Sequence, residues 1–173
     1  MKFFNGFSLR GEEKFFDGIL VDTDMCVAGF SYGAQKALEY AFASKERIDR
    51  LILISPAFFQ TQKPSFTKAQ LRYFEMDKGG YIDRFLQNAA YPSCTDLYPY
   101  LRSGTKEELE TLLTYTWEKE KFRSLLNKGV TVEIFLGNKD KIIDADAAFS
   151  FFSPLASTYF IKDAGHLLKD KDL

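Results

Sequence analysis

Apolar positions along the chain fall into two rhythms. Short all-apolar runs at residues 25–28 and 51–54 predict strands covered on both faces, and β-branched and apolar side chains dominate residues 130–136 in the same way. Residues 2–4 and 159–161 predict shorter strands near the two ends. Helical spacing occupies residues 12–20 (through Phe15, Phe16 and Ile19), 34–43, 66–76, 81–86, 109–115, 122–126 and 145–152. The punctuation agrees: Ser55-Pro56 closes the third predicted strand, Thr105-x-x-Glu108 is a capping box, and Asn127-Lys128-Gly129 stops a helix. Strands alternate with helices in residues 1–56 and 118–173, which implies a parallel sheet, whereas residues 57–117 hold helices alone. The expectation is one α/β domain over residues 1–173, with a core of about 1–56 and 118–173 and a helical cap at about 57–117.

Composition narrows the partners. The chain has 173 residues, 46% apolar and 27% charged, the balance of an ordinary globular chain. A net charge of -1 gives no overall attraction to nucleic acid or anionic membrane, so neither is expected as a partner. No run of 18 apolar residues and no signal-peptide core occurs, so a cytoplasmic location is expected. Eighteen Phe and nine Tyr exceed what a small core needs, and either fill a thin core or line a pocket. Cys26 and Cys94 lack metal-type spacing and read as reduced thiols; Cys94 as a nucleophile is the weaker reading, since nothing near it in sequence lowers its pKa.

The candidate chemistry begins at Gly29-Phe30-Ser31-Tyr32-Gly33, which stands between a buried-strand pattern and a helix. A serine nucleophile needs that strand, sharp turn and helix, with glycines where the turn is strained and backbone comes close. A serine hydroxyl also needs an imidazole to take its proton and a carboxylate to hold the imidazole. His166 is the single histidine of the chain and follows the last predicted strand; Asp140 closes the strand before it. Asp144 and Asp146 compete with Asp140 but suit the cap of the next helix better. The backbone N–H of Tyr32, after the nucleophile, is one oxyanion donor by construction. The second is expected from Asn5-Gly6-Phe7, through the Phe7 N–H, although Gly6 and Phe7 suit a plain tight turn equally well. Such a mechanism requires no cofactor and no metal.

Together these residues resemble the α/β-hydrolase superfamily over nearly the whole chain. The stretch from Leu112-Leu113-Thr114 through Phe122-Arg123 is similar to pimeloyl-[acyl-carrier protein] methyl ester esterases of biotin synthesis, and the start Lys2-Phe3-Phe4-Asn5-Gly6-Phe7 looks most like their compact BioV type. Two features depart from the pattern: Asn5-Gly6 replaces the usual His-Gly, and the first two strands of a full hydrolase have no counterpart. The resemblance implies a truncated α/β-hydrolase fold, whose open sheet edge is covered by an added helix or by a second subunit in a homodimer. It implies an acyl carrier protein bearing a pimeloyl methyl ester as substrate, with Phe30, Phe58, Phe59 and Tyr115 as acyl-channel candidates that suit the core as well. An acidic carrier calls for basic docking residues, for which Lys68, Arg72 and Arg84 stand out; an ordinary solvated helix face explains the same charges. Two rivals remain at this point, another acyl hydrolase (a thioesterase or small-ester carboxylesterase) and a catalytically silent hydrolase-like binding module.

Overall fold

The computed structural model describes residues 1–171. Five parallel strands lie in the order of the sequence: β1 (Lys2–Phe4), β2 (Cys26–Phe30), β3 (Arg50–Ile54), β4 (Thr131–Gly137) and β5 (Ser157–Ile161). Register pairs Phe4 with Gly29, Phe30 with Ile54, Ile54 with Phe135 and Gly137 with Ile161. The carboxyl ends of all five strands therefore emerge along one rim, where parallel sheets collect their functional loops. The first four positions of β2 and the last four of β3 expose almost nothing, as all-apolar strands should when both faces are covered.

Helix α1 (Tyr32–Ala43) follows β2 and packs on β1, β2 and β3. Its inner face carries Leu38 and the small residues Ala34, Ala37 and Ala41, which let its axis lie close to the sheet. The chain between β3 and β4 contains α2 (Pro64–Met76), α3 (Lys78–Ala90), α4 (Lys106–Thr114) and α5 (Lys119–Asn127). Their starts match the local chemistry: Pro64 opens α2, the Asp77 carboxylate accepts from the Gly80 amide, and the Thr105/Glu108 capping box closes in both directions. Gly129, at φ 82°, ends the α5 region before β4. Helix α6 (Ala145–Phe152) is capped by the Asp144 carboxylate on the Ala147 amide and leads into β5.

Several boundaries differ from expectation, and three of them shape the neighbourhood of Ser31. The helical pattern over residues 12–20 becomes one 3₁₀ segment, Glu12–Phe16, because the Phe16 carbonyl accepts from both Ile19 and Leu20 and turns the chain. The second strand runs on through Gly29 and Phe30 and leaves Met25 outside, exposed at its entry. The helix after it starts at Tyr32, two residues earlier than its apolar rhythm, because Gly33 tolerates close backbone packing there. Among the described residues, no helix is long and apolar enough to cross a membrane.

Aromatic side chains make much of the core. Phe152 is fully buried with its ring against those of Phe58, Trp117, Phe122 and Phe151, tying α6 to α5 and to the chain after β3. Trp117 also donates from Nε1 to the Ala57 carbonyl at 3.0 Å, which satisfies its buried polar atom. Removing the Phe152 ring leaves a cavity at this junction. Phe152→Ala is expected to cost about 3–5 kcal/mol, a large part of the roughly 5–15 kcal/mol that holds a domain folded, as read from the shift of the urea midpoint at unchanged slope.

Candidate active site

Ser31 stands between the end of β2 and the first turn of α1 with φ 55° and ψ −115°, a region that L-residues rarely occupy. The strain is locked in by two glycines. A Cβ on Gly29 would collide with the Gly33 carbonyl, and one on Gly33 with the carbonyls of Phe4 and Asn5. The Ser31 amide donates to the Ile54 carbonyl at 2.9 Å, and its carbonyl accepts from Ala34 and Ala57, so the backbone of the turn is held from both sides. The Ser31 side chain is left at the wall of a cavity.

Asp140 and His166 meet on the loops after β4 and β5. The Asp140 carboxylate and the imidazole are both wholly buried, with Oδ2 2.5 Å from Nδ1. Its other oxygen accepts from the Ile142 and Ile143 amides at 2.7 and 3.1 Å, fixing the carboxylate before it meets the ring. The two loops are sewn together by Asp163 N–H to the Asn138 side chain, Lys139 N–H to the Ala164 carbonyl, and a Lys139–Asp163 ion pair. On the other side the Ser55 hydroxyl donates to the His166 carbonyl at 2.7 Å, and the imidazole packs on the Phe30 ring at 4.9 Å between centroids. His166 is thus held beside Phe30, which precedes Ser31 in the chain, and beside Ser55, which follows Ser31's backbone partner Ile54.

The third link is open. His166 Nε2 is buried with no hydrogen-bond partner, and it makes no hydrogen bond to the Ser31 hydroxyl. With Nδ1–H donated to the Asp140 side chain, Nε2 carries the lone pair and is the acceptor of the ring. In unliganded enzymes such bonds are commonly long and close only around substrate.

The loop after β1 runs alongside the elbow. Phe7 lines the Ser31 cavity, and among the described residues neither its amide nor that of Tyr32 has a hydrogen-bond partner. The loop closes on itself: the Asn5 side chain accepts from Gly11 N–H at 3.1 Å, and the Glu12 carboxylate accepts from Gly6 N–H at 2.5 Å. It is also tied to the segment before α4 by a Leu9–Leu101 bridge and an Arg102 N–H to Ser8 carbonyl bond. Glu12 is fully buried and its second oxygen has no partner; burial raises its pKa above the ordinary 4.5, against the Gly6 hydrogen bond that lowers it.

The cavity, about 280 Å³, lies between the elbow and the helices inserted after β3. Its walls are Phe59, Phe66 and Gln70 from the start of the insertion and α2, Tyr81, Arg84, Phe85 and Asn88 from α3, Leu109, Leu112 and Leu113 from α4, with Phe7, Ser31, Lys141 and Ile142 from the core. Tyr81 donates to Gln70 Oε1 and is pushed up to about 12 by burial, so it stays neutral. The charged residues of the lining are both cations, Arg84 and Lys141, and no carboxylate faces them from it. Of the acyl-channel candidates, Phe59 lines this cavity. Phe30 does not, because its ring is buried between Phe16 and His166; Phe58 packs on Phe151 and Phe152; Tyr115 turns its hydroxyl to Glu39 and its ring to Trp117. The docking candidates separate as well. Lys68 and Arg72 flank a shallow groove on α2 with Ala69, Tyr73 and Met76, whereas Arg84 belongs to the Ser31 cavity.

Sequence reading passed over Glu12 and Gln35. Gln35 donates to the Ala57 and Leu112 carbonyls, pinning α1 to α4, and a polar residue on the otherwise apolar inner face of α1 was the available sign. Glu12 looked like one of two surface acids at a helix start. Among the described residues no group of His, Cys, Asp or Glu side chains is arranged to hold a metal ion; Cys26 is buried and Cys94 exposed, both free.

The shortened sheet, strained serine turn and following helix are those of the α/β-hydrolase fold, and solved structures similar to this chain bear this out. The carboxylesterase CesB from Bacillus subtilis matches 93% of this chain and 62% of its own at 21% identity, with a TM-score of 0.57. The N-acyl homoserine lactone degrading enzyme Est816 matches 95% of this chain and 85% of its own at 14% identity, with a TM-score of 0.65. MenH from S. aureus matches 95% and 85% at 14% identity, with a TM-score of 0.59. The chain spans about three fifths of CesB and 53% of the B. subtilis naproxen esterase. No family model and no curated protein matches the sequence.

Burial of Glu12 gives a stability signature with a definite sign. Its folded pKa lies above its unfolded value, so the folded state binds the proton more tightly and stability falls as pH rises from about the ordinary carboxyl value of 4.5 through the folded one. Glu12→Gln removes that titration. Urea unfolding of both proteins between pH 4 and 8 is expected to show the variant gaining on the wild type as pH rises, with the gap levelling off above the folded pKa.

Proposed function

We propose that the protein is a serine carboxylesterase that hydrolyses the methyl ester of pimeloyl-[acyl-carrier protein], releasing pimeloyl-[acyl-carrier protein] and methanol. The observation that carries the esterase reading is Ser31, strained at the elbow, at the wall of a largely apolar cavity, with a buried Asp140–His166 pair nearby whose free nitrogen is an acceptor. Similarity to carboxylesterases and other hydrolases supports the same class.

In this reading the Ser31 hydroxyl turns to Nε2 as the ester enters, and its oxygen attacks the carbonyl carbon while His166 takes the proton. Asp140 keeps Nδ1–H in place and stabilises the imidazolium. The carbonyl oxygen, now an anion, is held by the amides of Tyr32 and Phe7 and by the positive end of α1. The tetrahedral adduct collapses as His166 returns the proton to methoxide, so methanol leaves and an acyl-serine remains. Water then attacks the acyl carbon, gives its proton to His166 and, after a second collapse that reprotonates Ser31, leaves the free carboxylate.

The carrier reading rests on the resemblance and on charge. An acyl chain of seven carbons suits Phe59, Phe66, Leu109, Leu112 and Leu113. The phosphate of a carrier's prosthetic arm, or the acidic carrier surface, suits Arg84 and Lys141 beside the cavity, with Lys68 and Arg72 on α2 as a further docking face. A small-ester carboxylesterase is the second reading, favoured by the modest cavity and by the similarity to the carboxylesterase CesB and the naproxen esterase.

Ser31→Ala is expected to lower turnover of any ester by a factor on the order of 10⁶ and to abolish labelling by a fluorophosphonate; turnover within tenfold of wild type ends the nucleophile assignment. Incubation with the methyl-ester carrier protein separates the two substrates. Loss of the methyl group, with Arg84→Glu plus Lys141→Glu raising KM for the carrier ester but sparing a short neutral ester, supports the carrier reading. A carrier ester left intact by an enzyme that cleaves the short ester selects the second.

A further inference from the structure

We propose that Glu12 is a positioning residue for the oxyanion donor: its carboxyl holds the Gly6 amide and thereby aims the next one, that of Phe7, at the carbonyl beside Ser31. The inference rests on the esterase reading and adds to it a residue outside the triad and outside the elbow.

A carboxyl group buried with one oxygen unpartnered is costly, and an apolar side chain among the same neighbours would pack without that cost. What Glu12 contributes is one directed contact. Its Oε1 accepts from Gly6 N–H at 2.5 Å, across the mouth of a loop that the Asn5 side chain closes a second time on the Gly11 amide. Gly6 has no side chain to restrict its torsions, and the Gly6–Phe7 peptide is itself held by a long bond from Leu9 N–H to the Gly6 carbonyl at 3.3 Å, so the Glu12 contact, which fixes the peptide before it, decides how firmly the pair is set. With the Gly6 amide taken by Glu12, the Phe7 amide is left without a protein partner, on a residue that lines the Ser31 cavity. An oxyanion donor must be fixed before the charge develops, since a donor that reorients during the reaction loses its advantage. Oε1 accepts in the ionised and in the neutral acid alike, so the role does not depend on which form the burial favours.

Kinetics on a short neutral ester test the assignment with wild type, Glu12→Gln, Glu12→Leu and Glu12→Asp. Gln retains an oxygen at the same reach; Leu removes it; Asp withdraws it by one methylene. Expected are kcat losses on the order of 10–1000-fold for Leu and at least about tenfold for Asp, the range for a disturbed oxyanion donor, with KM within about threefold of wild type and with Gln restoring kcat to within about fivefold. Affinity for an alkyl boronic acid, which forms a tetrahedral adduct on the serine, should fall in parallel with kcat/KM while KM stays. Folding of each variant is read from its thermal transition, and Glu12→Asp carries the test where Glu12→Leu does not fold. Wild-type kcat in folded Glu12→Leu or Glu12→Asp, or equal damage in Glu12→Gln, overturns the positioning role and leaves the esterase reading intact. A wild type that neither cleaves esters nor labels at Ser31 overturns both.

Discussion

The close approach of α1 to the end of β1 is the constraint from which the site follows. Gly33 sits so near the carbonyls of Phe4 and Asn5 that no side chain fits between them, and Gly29 sits as near to Gly33. That contact forces the chain between β2 and α1 to turn within one residue, and Ser31 absorbs the turn in its unfavourable torsions. It also sets the loop after β1 beside the serine, because the backbone met by Gly33 is the backbone that leads into Gly6 and Phe7. Candidate nucleophile and candidate oxyanion loop are thus positioned by a single backbone contact, and any side chain at residue 33 would separate both at once.

Parallel register does the rest of the assembly. Because β2, β3, β4 and β5 are paired in sequence order and in parallel, the loops that carry Ser31, Ser55, Asp140 and His166 leave the sheet at neighbouring positions on one rim. Ser55 shows how the middle strand contributes: its hydroxyl fixes the His166 backbone, while Ile54 before it accepts from the Ser31 amide. The helices inserted after β3 then lie over the rim and supply most of the cavity wall.

Much of this was legible in the sequence where one residue type has one physical role. Gly29 and Gly33 around a serine after an apolar strand, Asp140 at a strand end, a single histidine past the last strand and the Thr105/Glu108 box each have few alternative uses, and each stands where the pattern put it. Aromatic residues have many uses, and they were the obscure part. Phe30, Phe58, Phe59 and Tyr115 look alike as sequence, yet Phe59 alone of the four lines the cavity, because which ring faces it depends on how α2, α3 and α4 lean on the sheet. Arg84 could not be separated from Lys68 and Arg72 for the same reason: neighbouring helices carry them, and only packing decides which faces the serine. Glu12 was invisible because its burial comes from long-range contacts of a short 3₁₀ turn, whereas its sequence is that of an exposed helix start.

The unmet hydrogen-bonding capacity of His166 Nε2 sets it apart from the other polar atoms of the arrangement. Asp140 has used both oxygens, one on Nδ1 and one on the Ile142 and Ile143 amides, so it is not free to rotate and the ring is held in one orientation. A buried acceptor left without a donor costs on the order of 1–3 kcal/mol, and the groups around the ring offer none: Phe30 presents an apolar face and Ser55 has already given its hydroxyl to the backbone. The Ser31 hydroxyl is the donor whose arrival would relieve that cost, and the elbow keeps its backbone from moving away. A histidine placed only for packing would be expected to have both nitrogens satisfied, and here Nε2 is not.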